Sequence, residues 1–186
     1  MRADAKKNYE HILTVASTVV TKDGADASLR DIARKAGVGL GTLYRHFPTR
    51  EALLETLLRT SFDELKASAH KLETTSSPDD ALTLWLRDLV ACGNDYRGAI
   101  ASMVAAIEDE ESALHASCVT MKKAGTRLLS RAQEKGLARA DIDGADLFGL
   151  ISALVWLGDQ PSLAHRSDHL FEIIMSAILT NQPKDS

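Results

Sequence analysis

Cysteine is almost missing from this chain: Cys92 and Cys118 are the only two in 186 residues. Two cysteines cannot build a disulfide framework, and without CxxC spacing they give no zinc site; both read as reduced, buried small hydrophobes. No apolar run approaches the roughly 18–20 residues of a membrane span, and the first residues, MRADAKKNYEH, lack the hydrophobic stretch of a signal peptide. A protein acting in the cytoplasm, with no membrane partner, is the expectation. Strand-like alternation and internal repeats are also lacking. So are a nucleophile paired with a base, a phosphate loop and a metal cluster at interpretable spacing, which argues against an enzyme and implies no cofactor and no metal. What is present is ordinary globular material, 45% apolar and 26% charged, enough for a sizeable core in one large domain or one domain with a small appendage.

The net charge of −4 conceals a gradient. Residues 1–50 carry nine basic and five acidic side chains, whereas the other 136 carry thirteen basic and twenty-one acidic. A basic head on an acidic body directs attraction for a polyanion to the head alone, because the long-range field follows the local charge.

Nearly every segment reads as helix, about nine in all. Ile12, Leu13, Ala16, Val19 and Val20 recur at helical spacing up to Lys22, with Gly24 placed to stop the helix in a left-handed conformation. Ser28 is the expected cap of a second helix, with Asp31 three residues on. Gly37 ends it, a third short helix follows to Phe47, and Pro48 blocks continuation. Thr49 caps a long fourth helix with Leu53, Leu54, Leu57, Leu58, Phe62 and Leu65 along one stripe. Ser77, Pro78, Asp79 and Asp80 signal a fifth. Further helical patterns lie near 97–107, 111–135, 143–158 and 167–180, with Ser167 as a plausible cap of the last and a frayed tail from Gln182 to Ser186. The fold class is all-α, divided into an N-terminal three-helix domain, 1–49, and an α-helical domain, 50–186, joined by the long helix. The acidic run Glu108–Glu111 reads as a cap for the helix after it, and His165 and His169 as surface histidines with no third ligand.

The chemistry sits in SLRDIARKAGVGLGTLYRHF, from Ser28 to Phe47. One short helix packs Ile32 and Ala36, a glycine turn follows at Gly37, Val38 anchors the core, and the next helix packs Leu43 and Phe47. That is a helix-turn-helix, whose turn lets the second helix enter a major groove while the first spans the backbone.

These residues carry a resemblance. The spacing of Ile12, Leu13 and Ala16, then Gly24, Ile32-Ala33-x-x-Ala36-Gly37-Val38, Gly41-Thr42-Leu43-Tyr44, His46-Phe47 and Glu51-x-Leu53-Leu54 resemble the TetR family of bacterial transcriptional regulators over about residues 6–55. The remainder fits in length, helical content and a loose pattern around Gly136-Leu137-x-Arg139-x-Asp141. Gly39 and Arg50 depart from the family, which often has Ser or Thr and usually Lys there. Position by position, the resemblance implies that Ser28 and Arg30 touch backbone and groove edge. Thr42, Tyr44 and His46 would contact phosphates, Arg45 would reach bases or phosphate, and Arg50 would hold a further phosphate; Leu40 offers no hydrogen bond and can pack on a thymine methyl. Hydroxyls and helix N-termini are sequence-neutral phosphate donors, while arginine can make the bidentate contact to guanine.

One recognition helix reads few base pairs, so a palindromic double-stranded operator bound by a homodimer is expected. Leu147, Ile151 and Leu154, with Leu150, Val155 and Leu157, and then Leu170, Ile174 and Ile178, with Ile173 and Ala177, offer the face for it, or else fill the core of a single chain. The resemblance also implies a sensor cavity; Trp85, Leu89, Cys92, Met103, Ile107, Cys118, Met121, Phe148 and Trp156 are its candidate lining, and ordinary core is the competing reading. Few charges lie on those stripes, which points to a hydrophobic or aromatic effector. The expected function is a ligand-responsive repressor released by an inducer. The alternative is a helical small-molecule-binding or scaffold protein that keeps a helix-turn-helix without operator recognition, favoured by the poor hydrogen-bonding capacity of Gly39, Leu40 and Gly41.

Overall fold

Left-handed glycines and side-chain caps set several of the helix ends in the computed structural model, which describes residues 2–24, 26–158 and 160–180, without the side chains of 2–5 and 97. The expected tail from Gln182 lies outside the described residues. The described helices are α1 (Arg2–Asp23), α2 (Leu29–Lys35), α3 (Leu40–His46), α4 (Arg50–Thr75), α5 (Pro78–Asp95), α6 (Arg97–Ser102), α7 (Val104–Glu108), α8 (Ala113–Glu134), α9 (Gly144–Gly158) and α10 (Ser167–Ile178), with a 3₁₀ turn at Ala164–Arg166. The only extended pairing among the described residues is an isolated bridge between Ala138 and Leu179. No helix among the described residues is long and apolar enough to cross a membrane.

Gly24, Gly37 and Gly136 have φ of +83°, +64° and +68°. Around Gly136 the amide of Leu137 donates to the Ala132 carbonyl at 2.8 Å and that of Gly136 to Gln133 at 2.9 Å, the paired bonds that close a helix on a left-handed residue. The segment after it is tied to the end of α10, with the Arg139 amide donating to Ile178 at 2.9 Å and that of Thr180 to Leu137 at 3.0 Å. Arg139 grips Asp141 through two hydrogen bonds of 2.6 Å, which hold the Asp141 carboxyl below its ordinary range and push the guanidinium up.

Capping differs from the sequence reading at several ends. Thr49 does cap α4, its hydroxyl accepting the Ala52 amide at 3.1 Å. Ser28 has the extended backbone of an N-cap but makes no side-chain cap bond. The Ser77 hydroxyl donates instead to the Asp80 carboxylate at 2.8 Å, and Ser167 is the first helical residue of α10 rather than its cap. The cap of α8 is Ser112, whose hydroxyl accepts the His115 amide at 2.9 Å, not the acidic run before it; Asp109 turns back to the Glu111 amide within that run. Asp143 caps α9, accepting the amides of Ala145 and Asp146, while Asp146 accepts the Asp143 amide in return. The single helix expected over 97–107 is two, α6 and α7, because Met103 leaves helical geometry at φ −104°, ψ 7°. No glycine or proline marks that break.

Contacts gather the chain into two compact units, one of residues 1–61 and 95–116, the other of 62–94 and 117–186. This grouping places 95–116 with the N-terminal helices, a link that the sequence boundary at 49 and 50 does not draw. In the first unit Ile12, Ala16, Val19, Val20, Ile32, Leu43, Phe47, Leu54 and Leu58 are buried, and Ser17 shares a 2.8 Å hydrogen bond with the Tyr96 hydroxyl. In the second, Trp85, Leu86, Leu128, Leu147, Leu154, Phe171 and Met175 form the core. Arg87 lies over the Phe171 ring, 4.6 Å from its centroid, and pairs with Glu172.

Candidate nucleic-acid interface

The geometry of α2 and α3 starts at Gly37. Its positive φ lets the Gly37 amide donate to Arg34 at 3.1 Å and the Val38 amide to Ala33 at 3.0 Å, which stops α2 and redirects the chain. Gly39 then serves as the N-cap of α3 through its backbone, its carbonyl accepting the amides of Thr42 and Leu43 at 2.9 and 3.1 Å. A glycine at this place costs only a few tenths of a kcal/mol relative to serine. Leu43 and Phe47 are buried, so the rest of α3 turns outward: Tyr44 is 44% exposed, Arg45 and Gly41 are exposed, and Leu40, Thr42 and His46 are half-buried.

The far end of α3 is held by a residue that sequence reading passed over. Tyr9 of α1 stacks on Phe47, ring centroids 5.2 Å apart, and meets His46 edge-on at 5.7 Å. Such pairs add about 0.5–1.5 kcal/mol beyond their buried area. The only sequence signal was an aromatic side chain on the first helix, which periodicity alone does not assign to a partner.

Ion pairing sorts the basic residues of the head. Each described acidic side chain among the first fifty residues is paired: Glu10 with Lys6 at 3.8 Å, Asp23 with Lys35 at 3.5 Å, Asp26 with Arg50 at 3.0 Å and Asp31 with Arg34 at 3.1 Å. Among the described residues Lys7, Lys22, Arg30 and Arg45 have no such partner and remain available to an outside polyanion. Ser28, Arg30 and Arg45 are exposed, while Arg50 is half-buried and reaches Asp26 across the α1–α2 junction. All eight residues expected at a DNA surface lie in one compact unit.

The expected cavity lining is shared between the two units. Met103 and Ile107 belong to the first unit, and Trp85, Leu89, Cys92, Cys118, Met121, Phe148 and Trp156 to the second. Trp85 is fully buried and donates its indole N–H to the Leu65 carbonyl at 2.8 Å. Cys118 and Met121 are buried, Leu89 and Cys92 half-buried, and burial pushes the Cys118 thiol up. Trp156 is 61% exposed. A groove between α8 and α9 takes Phe148 alone from the expected set.

The expected dimer face divides in the same way. Leu147, Ile151, Leu154 and Ile178 are buried within the chain itself and Leu170 and Ile174 are half-buried. Of the same expected face, Leu150 and Ile173 are exposed, as is Ala177, and Trp156 and Ala153 of α9, which were not assigned to it, are exposed as well. On a helix whose apolar residues cover most of the circumference, spacing does not reveal which arc meets the chain's own core.

Two family models match the chain: that of bacterial regulatory proteins of the tetR family over residues 12–57, and that of the SbtR-like transcriptional regulator C-terminal domain over residues 77–178. The HTH-type transcriptional repressor LfrR of Mycolicibacterium smegmatis is 35% identical over 81 residues, 44% of this chain and 43% of that protein. The HTH-type regulator YvdT of Bacillus subtilis is 40% identical over 67 residues, 34% of its length. The chain thus matches less than half of these curated relatives. Over nearly the whole chain, the crystal structure of a TetR transcriptional regulator from Streptomyces coelicolor superposes with a TM-score of 0.72 at 30% identity, covering 94% of this chain and 99% of that one. A TetR regulatory protein from Mycobacterium vanbaalenii gives the same TM-score at 29% identity, covering 96% and 99%.

Proposed function

The chain belongs to the TetR family of bacterial regulatory proteins, and from that premise we propose that it is a DNA-binding transcriptional regulator of the cytoplasm, a homodimeric repressor that a small molecule releases from a palindromic operator. One observation carries the DNA-binding part: α3 follows a glycine turn, presents Thr42, Tyr44 and Arg45 outward, and stands in a unit whose described acidic side chains up to residue 50 are all paired, leaving Arg30 and Arg45 unpartnered. In this reading Thr42, Tyr44 and His46 hold phosphates, Arg30 and Ser28 approach the backbone from α2, Arg45 reads base edges, and Arg50 exchanges Asp26 for a phosphate. Leu40 packs against a base edge without a hydrogen bond.

Two copies are needed because one helix contacts only a few base pairs. Leu150, Trp156 and Ile173 are the large apolar residues that α9 and α10 leave uncovered, and their exposure on a single chain supports the dimer. Effector release needs a coupling of only about 1–3 kcal/mol between the ligand-bound conformation and half-site spacing.

A second reading, a helical binding protein whose helix-turn-helix lacks operator preference, is favoured by one feature: Gly39, Leu40 and Gly41 give the start of α3 no side-chain hydrogen bonds. Selection of random duplexes by the purified chain at near-physiological salt separates the two. An enriched palindrome with half-sites about one helical turn apart supports the operator-binding dimer; sequence-neutral affinity with a steep salt slope overturns it in favour of the second reading.

A further inference from the structure

Between α8 and α9 runs a groove of about 690 Å³ whose walls include Lys122, Lys123, Thr126, Asp143, Phe148 and Ser152. Its size is that of small-molecule sites, roughly 300–1,000 Å³. All of these side chains belong to one compact unit.

The charges in the groove have one sign left over. Lys122 and Lys123 are exposed, and neither has an ion-pair partner among the described residues, although residues 51–186 carry eight more acidic than basic groups. The one carboxylate in the lining, Asp143, is committed to α9: its Oδ1 accepts the amides of Ala145 at 2.7 Å and Asp146 at 3.0 Å. An anion entering the groove therefore meets two ammonium groups on flexible stems and a carboxylate already held by backbone donors.

The apolar part of the wall is aromatic. Phe148 is half-buried, its ring backed edge-on by the indole of Trp85 at 6.1 Å, and Lys122 stands 5.9 Å from its centroid. Trp85 fills the space behind it so fully that Gly125 has no room for a β-carbon. A flat apolar body thus rests on Phe148 at the groove rather than entering the core. The Ser152 hydroxyl, with no hydrogen bond among the described residues, adds a polar contact at the rim.

We propose that this groove binds small aromatic carboxylates, the ring lying on Phe148 and the carboxylate held by Lys122 and Lys123, and that these are the effector class of the regulator. The effector role rests on the regulator reading above; the binding does not. It also departs from a purely hydrophobic effector, because the lysines lie off the apolar stripes that sequence periodicity brings out.

The test is calorimetric titration of the full chain with 1-naphthoate and with its neutral counterpart, 1-naphthamide. One saturable site per chain is expected, with the acid at least about tenfold tighter than the amide, the scale of one charge-assisted hydrogen bond. The double variant Lys122→Gln/Lys123→Gln, exposed enough to leave the thermal melt unchanged, abolishes that preference, and Ser152→Trp weakens both ligands by filling the groove. Equal binding of acid and amide, an unaltered preference in the double variant, or no saturable binding of the acid overturns the proposal. Duplex selection on the same preparation keeps the failures apart. An operator without naphthoate binding overturns the groove alone, whereas naphthoate binding without an operator overturns the regulator reading and the effector role with it. With both in hand, naphthoate releases the wild-type chain from its operator and leaves the double variant bound.

Discussion

Trp85 lies against Gly125 so closely that a β-carbon on the glycine would stand 2.4 Å from two atoms of the indole ring and 3.0 Å from the Phe148 ring. The indole N–H is meanwhile held by the Leu65 carbonyl at 2.8 Å. Neighbours on α4, α8 and α9 thus fix one large side chain, leaving it no slack to retreat from an added methyl.

Gly125→Ala should accordingly destabilise the protein by about 1–3 kcal/mol, the cost of overpacking a filled core, even though alanine is the better helix former. Gly41→Ala, at an open position on α3 with nothing within 4 Å of the added carbon, should instead be neutral or stabilising by up to about 1 kcal/mol. Urea unfolding of both variants checks the pair, and a Gly125→Ala midpoint at or above wild type would contradict the packing.

Arg45 is exposed without an ion-pair partner among the described residues. On the proposed interface Arg45→Ala should lower discrimination at one base pair of each half-site by about 1–3 kcal/mol, whereas Tyr44→Phe should weaken all sequences alike. Competition between the selected operator and its single-base variants measures both. Unchanged affinity ratios in Arg45→Ala would remove that residue from base reading.

Asp26 occupies Arg50 at 3.0 Å, and its own side chain is fully exposed. A solvent-exposed pair contributes little to stability, about 0–1 kcal/mol, but it competes with a phosphate for the guanidinium. Asp26→Asn should therefore tighten DNA binding several-fold at low salt while shifting stability by less than about 0.5 kcal/mol. Weaker binding by the variant would mean that the carboxylate positions Arg50 rather than masking it.

Trp156 and Ile173 are 61% and 49% exposed in the single chain. Replacing both with glutamate should leave each chain folded and convert the proposed dimer to a monomer, as seen by sedimentation velocity and circular dichroism; a dimer that persists would take these residues out of the interface. Leu154→Glu, at a buried position of the same α9, should unfold the chain, because an unpaired carboxylate would enter the core.

The Asp141 carboxyl is held below its ordinary value of 3.8 first by the hydrogen bonds of Arg139. A lowered folded value means that the pair stabilises the fold above the unfolded pKa, and that this contribution fades as pH falls through the folded value. The effect is modest because both groups are exposed. Asp141→Asn should flatten the loss of stability as pH falls below about 4 and leave the slope near pH 7 unchanged, as read by denaturant midpoints across pH.

Much of the helical framework was legible from residues that act locally. Gly24, Gly37 and Gly136 stop helices because each has a positive φ, and Thr49 caps α4 because its hydroxyl is one turn from a free amide. Legibility failed where two local candidates compete. Ser112 rather than the acidic run caps α8, and the Asp143–Asp146 reciprocal cap was hidden behind Gly144. The break at Met103 has no local signature at all, since apolar periodicity continues across it.

The order of residues by itself determined the all-α class, the turn at Gly37 with Leu43 and Phe47 facing inward, and the basic head, because capping, φ preference and charge act within a few positions of the chain. Only the tertiary structure decided which cations are spent on Glu10, Asp23, Asp26 and Asp31, that Tyr9 backs the end of α3, and that Leu147 and Leu154 are core while Leu150 and Trp156 face outward. It also placed the open groove beside Lys122 and Lys123 rather than among the apolar stripes. Burial and pairing are relations between segments far apart in sequence, and helical periodicity specifies a face without specifying what covers it.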